Sequence, residues 1–226
     1  MSITDSVNPL KVQLADIKHT LTGFMNGPVS ESLRSKGLSY RLIYGIELTR
    51  LMSLAAEMPH EQKLAWALWN EDIRECRLLA LLLMPHEGFT TDEASLLIEQ
   101  MRFAEEAQVA VMHLFVHLTE ASSAAFAWMA DERDMFQLCG FLLLGRLLLQ
   151  HPELSPRDEA EFLDQAEVSL QSANLHVRKA AQSALLRFSE AGLRQQRLSD
   201  SLFNRVLRSK KALSEELQDS SEANEK

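Results

Sequence analysis

His113 and His117 stand four residues apart, a spacing that on a helix puts two imidazoles on one face and can hold a divalent metal. Leu114, Phe115 and Val116 lie between them, so the glutamate of a zinc-protease helix is missing, and neither Cys76 nor Cys139 is close in sequence. The pattern predicts partly buried helix histidines and no metal. Both cysteines fall inside apolar helical runs, which predicts buried, reduced thiols rather than a disulfide. Trp66, Trp69 and Trp128 sit in similar runs and predict packing between helices rather than a stacking platform. The chain has no glycine-rich phosphate loop, Gly-x-Ser-x-Gly elbow or zinc-type cysteine pair. These residues assign no catalytic group and call for no cofactor.

Electrostatic chemistry is better represented. Between Asn174 and Lys211 lie nine basic residues against two acids, Glu190 and Asp200, a balance of +7 in a chain whose formal net charge is −9. The rest of the chain therefore carries −16. An acidic chain of this kind is no generic nucleic-acid coat, but one basic stretch can form a single anion-facing surface. Arg178, Lys179, Arg187, Arg194, Arg197, Arg205 and Arg208 are the side chains expected to meet phosphates there.

Helices must carry these groups. Hydrophobic residues make up 46% of the 226, while Gly (8) and Pro (6) are sparse, which favours helix almost throughout. Leu10, Leu14, Ile17 and Leu21 mark one face of a first helix. Asn26-Gly27-Pro28 breaks the chain before a short helix to Leu33, and Ser39–Ile46 reads as a connector or irregular helix. A helix follows over about 47–58, closed by Pro59. From Glu61 onward helices come in pairs: 61–69 with 73–84, 92–103 with 105–118, 122–130 with 134–150, and 156–171 with 175–190. Asp72 and Glu75 stand where a helix cap and capping box would place them, Thr90 or Thr91 caps the next pair, and Leu96, Leu97 and Met101 are expected to face inward. Ser155 and Asn174 cap the last pair, which Gly192 is expected to end as a C-cap. A final helix is predicted over about 200–217, giving a single helical-repeat domain over 1–217 and a polar, frayed tail over 218–226.

The second helices of the four pairs begin near Ile73, Glu105, Asp134 and Leu175, at intervals of 32, 29 and 41 residues. Such spacing fits HEAT-like units, so the fold class expected is all-α, an α-solenoid of antiparallel helix pairs whose second helices line a concave groove. The most apolar run, Met135–Leu149, is about 15 residues long and contains Arg146, too short for a membrane span. The chain opens without a signal-peptide pattern, so a cytoplasmic protein with no membrane partner is expected.

Two segments carry a further likeness. Lys36-Gly37-Leu38-Ser39-Tyr40 through Gly45-Ile46-Glu47-Leu48, and Ala67-Leu68-Trp69-Asn70-Glu71-Asp72-Ile73-Arg74-Glu75-Cys76-Arg77, resemble the AlkD-like DNA alkylation-repair family of HEAT-repeat proteins over about residues 30–190. The resemblance implies a helical solenoid whose active relatives excise positively charged alkylated purines from DNA held on the concave face. It also implies where a catalytic carboxylate, an arginine and tryptophans should stand. Those positions read Gln108 and Met112, Leu138 and Ser183, and Ala107–Leu118 contains no acid. A carboxylate there would stabilise positive charge developing on the sugar, which no neutral side chain does well. The expected function is a non-catalytic repeat protein that binds DNA or a protein in its groove. The alternative is a DNA glycosylase with a rearranged acid: Glu105, Glu106 or Asp134.

Overall fold

A computed structural model describes residues 8–224, with the side chains of residues 210 and 212–224 left aside. Among the described residues there are twelve α-helices, one 3-10 turn and no strand; Leu42 and Ile73 form an isolated parallel bridge. The chain divides into two compact units at Thr119.

The first unit holds α1 (Pro9–Thr22), α2 (Gly27–Ser35), α3 (Leu48–Ala56), α4 (Gln62–Trp69), α5 (Arg74–Leu83), α6 (Thr91–Gln100), α7 (Ala104–His113) and the 3-10 turn Phe115–His117. Helix α5 is its centre. All ten of its residues are buried, and it packs on α4, α3 and α7. Residues 39–46 are the connector foreseen, apart from the bridge at Leu42. Gly45 stands there at φ 78°, a left-handed value that glycine tolerates. A Cβ at Gly45 would lie 2.3 Å from the Asn26 carbonyl oxygen.

The second unit holds α8 (Ala121–Met129), α9 (Asp134–Leu148), α10 (Pro156–Ser169), α11 (Leu175–Ser189) and α12 (Leu193–Asn224). Helix α9 is packed by α8 and α11, and Phe141, Phe162 and Phe188 meet in its core. Small residues set the spacing. A Cβ on Gly140 would come within 2.5 Å of the Met129 amide nitrogen, so α8 and α9 touch backbone to backbone.

The Thr90, Ser155 and Asn174 caps are present, and Thr90 with Glu93 forms a full capping box. Four local expectations change. Ile73, not Asp72, is the N-cap residue of α5, and it makes no side-chain cap bond. Helix α7 ends at His113, because Leu114 leaves helical geometry at φ −127°, so His113 and His117 do not share one α-helical face. Leu96 is half exposed, while Leu97 and Met101 are buried as expected. Gly192 has no positive φ and lies in the turn after the Glu190 C-cap; α12 starts there and runs from Leu193, earlier and further than 200–217. None of the described helices is long and apolar enough to cross a membrane.

Candidate nucleic-acid interface

The basic stretch occupies α11 and α12 of the second unit, and packing divides its side chains into two sets. Asn174 caps α11 by accepting from the His176 amide at 2.8 Å. Arg178 turns back on that same turn, where Nη1 donates to the carbonyls of Ser172 and Ala173 at 2.5 and 2.8 Å. Arg187 pairs with Glu190 one turn on, at 3.2 Å. Arg194 and Arg205 are eleven residues apart, close to three full turns, so they share one stripe of α12. That stripe lies on α10, where Arg194 meets Glu159 and Arg205 meets Glu167 at 2.5 and 2.6 Å. The bond from Arg205 holds the Glu167 carboxyl below the usual carboxylate range.

Lys179, Arg197 and Arg208 are exposed, and no carboxylate pairs with them among the described residues. Arg197 and Arg208 again stand three turns apart, about 16 Å along α12, on a stripe rotated from the paired one. Of the seven basic residues named from the sequence, these three have neither a carboxylate nor a carbonyl partner among the described residues, whereas Arg178 is held by carbonyls alone.

In the first unit a small set of charged groups is turned inward, Arg74, Glu75, Arg77 and Glu106 being buried. Glu75 is completely buried; its carboxylate accepts from the amides of Tyr44, Gly45 and Ile46 at 2.9, 3.0 and 3.3 Å, and from Arg74 at 3.0 Å. Glu106 is equally buried; it accepts from Tyr40 Oη at 2.9 Å, from Arg77 Nε, and from the amides of Arg102 and Phe103 at 2.7 and 3.3 Å. Arg77 also stacks on the buried Trp69 ring at 3.7 Å, and the Trp69 indole N–H donates to Gln100. Asp72 accepts from the Arg41 amide and from Arg102. Burial raises the Tyr40 phenol far above its ordinary value, with Glu106 and Glu105 adding to the effect. Burial likewise pushes the Cys76 thiol up to about 12 and the Cys139 thiol higher still.

No local motif in the sequence marks this network. Its signal is an offset: Tyr44–Glu75, Arg41–Asp72 and Arg74–Glu105 are each separated by 31 residues, close to the repeat interval.

A cavity of about 230 Å³ opens between α3, α5 and α7, lined by Leu48, Arg74, Leu78, Glu105, Gln108 and Met112 among others. Gln108 and Met112 are exposed there, and neither is an acid. Glu105 is the one carboxylate in the wall among the described residues, and Arg74 Nε lies 3.0 Å from both of its oxygens. In the second unit Leu138 is buried, Ser183 is exposed, and Asp134 accepts from Asn174 Nδ2 at 2.9 Å. A neighbouring cavity of about 300 Å³ in the first unit is lined by Met52, Leu82, Met112 and four histidines: His60, His86, His113 and His117.

Comparison with known proteins bears on these features. The family model described as DNA alkylation repair enzyme matches residues 30–200. No curated protein matches the chain. One solved structure is similar at 14% identity, with a TM-score of 0.73, covering 85% of this chain and 82% of that one. It is described as "A new family of proteins related to the HEAT-like repeat DNA glycosylases with affinity for branched DNA structures". At that identity the likeness establishes the HEAT-like helical fold.

Proposed function

This chain belongs to the DNA alkylation repair enzyme family, and from that premise we propose that it is a DNA-binding helical-repeat protein without glycosylase chemistry. The observation that carries the second half is the state of Glu105. A carboxylate that stabilises the positive charge developing on the sugar as the base leaves must present unneutralised charge to it. Glu105 is held by the guanidinium of Arg74, and the next positions along α7, Gln108 and Met112, are neutral. Glu106 is spent on Tyr40, Arg77 and two backbone amides, and Asp134, exposed at the start of α9, lines neither of the two cavities.

DNA as the partner is supported by the family and by the unpaired charge of Lys179, Arg197 and Arg208. The structural neighbour is described as having affinity for branched DNA. We extend that preference to this chain, with the cytoplasm as its site of action. The reading is tested by titrating the full chain against a four-way junction and a linear duplex of equal length, and by incubating it with N-methylated duplex. The expected result is tighter, salt-dependent junction binding with no release of methylated base. Equal affinity for both DNAs removes the branched preference; salt-independent or absent binding points to a protein partner instead.

A second reading, glycosylase action with a rearranged acid, has one observation in its favour: Glu105 does line a cavity. It predicts base release that Glu105→Gln abolishes and Asp134→Asn spares.

A further inference from the structure

The larger cavity of the first unit is made of unusual material. Met52, Ala55 and Ala56 come from α3, His60 from the turn after it, Leu82 from α5, His86 from the loop beyond α5, Met112 and His113 from α7, and His117 from the 3-10 turn. Two thioethers and four imidazoles face one space, and no carboxylate lines it among the described residues. His86 and His117 stack on one another with centroids 4.0 Å apart and planes 17° from parallel. Imidazole lone pairs lie in the ring plane, so stacked rings point their nitrogens side by side rather than toward one ion. Among the described residues no group of three or more His, Cys, Asp or Glu side chains is placed to hold a metal.

The same features suit a flat aromatic guest. Exposed ring faces and polarisable sulfur make a stacking wall, and the imidazole edges offer both donors and acceptors. A volume of about 300 Å³ is at the small end for ligand pockets, suited to one ring system. A lysine or arginine from a partner would need a carboxylate, which the wall lacks. An aliphatic side chain would leave the exposed imidazole edges of His60, His86 and His117 unanswered. A nucleobase satisfies both walls and edges, and the absence of acid spares the phosphates attached to it.

We propose that the cavity lined by His60, His86, His113 and His117 receives an unpaired nucleobase of the bound DNA, stacked against the His86–His117 pair and gripped by Met52 and Met112. The inference rests on the DNA-binding reading above and names what the first unit contributes to it. Burial and the neighbouring His86 lower the pKa of His117, which keeps its ring neutral near pH 7 and free to stack without drawing in an anion first. Branched DNA supplies the guest, because bases at a junction are less firmly stacked than those in a duplex, and lifting one out costs least there.

The test uses the full chain and a junction carrying 2-aminopurine at an unpaired position at the branch point. Wild-type protein should change the probe's emission on binding, and the ring-proton resonances of His86 and His117 should shift with it. His117→Ala should remove the emission change and weaken junction binding roughly tenfold, as loss of a base–aromatic stack does. His86→Phe, which restores a stacking face, should keep both. Met112→Glu guards against misfolding effects, because Met112 is 48% exposed and the change places an acid in the wall; it should abolish the emission change while circular dichroism stays that of wild type. Junction binding with no emission change in wild type overturns this inference and leaves the DNA reading standing. Absence of DNA binding overturns both.

Discussion

Glu75 shows how one side chain can organise a segment that has no regular structure of its own. Residues 39–46 cannot satisfy their amides in a helix, and three of those amides converge on a carboxylate buried in α5. The residue looks like the third position of a capping box because glutamate three residues after an aspartate usually is one. Here the local rule loses to a long-range one: three backbone donors and Arg74 outbid a single helix-terminal amide. Removing it leaves three amides without their acceptor in a site closed to water, while Arg74 keeps only Glu105 and the Ile46 carbonyl. Glu75→Ala should therefore cost about 3–5 kcal/mol. Glu75→Gln, which keeps one carbonyl acceptor, should cost distinctly less. Urea unfolding of the two variants checks the ranking; a Glu75→Ala loss under about 1 kcal/mol would mean the connector is held by something else.

At the scale of the element, the helices were legible because their signals are short-range. Apolar periodicity, caps at Thr90, Ser155 and Asn174, and Pro59 as a stop place most helices within a few residues. What was hidden depends on contacts across a repeat: the 31-residue polar ladder, the break at Leu114 that separates His113 from His117, and the outward face of Leu96. The candidate interface was half legible. Charge counting found the basic residues, but only α10 packed under α12 reveals that Glu159 and Glu167 occupy Arg194 and Arg205. Glycine was least legible, since Gly140 and Gly145 share α9 and look alike in sequence. A Cβ at Gly140 meets the Met129 nitrogen at 2.5 Å and the Ala125 oxygen at 2.8 Å, whereas one at Gly145 meets Ala184 at an ordinary 3.5 Å. Gly140→Ala should push α8 off α9 and cost about 1–3 kcal/mol. Gly145→Ala should be neutral or slightly stabilising, because alanine favours the helix. Thermal melts of the two variants that moved together would refute the distinction.

For the whole molecule, the proposed function asks how an acidic chain would hold DNA. A net charge of −9 works against a polyanion at long range, so affinity has to come from a few cations placed where the acids are not. The structure sorts them. Arg187, Arg194 and Arg205 already answer carboxylates, and giving them up to phosphate would strand Glu190, Glu159 and Glu167. Lys179, Arg197 and Arg208 carry no such cost. If these three neutralise phosphates, each should contribute about 0.9 to the slope of log K against log salt. Replacing all three with glutamine should lower the slope by about 2–3 and weaken binding at every sequence alike. The matching triple change at Arg187, Arg194 and Arg205 should leave the slope nearly intact and lower the melting temperature instead, because losing Arg194 and Arg205 breaks the ion pairs between α12 and α10. Fluorescence anisotropy across a salt series, run beside a thermal melt for each variant, separates these outcomes. A slope that falls equally in both triples would mean the paired arginines swing out to meet DNA, and the resting ion pairs would then be a store of cations rather than a brace.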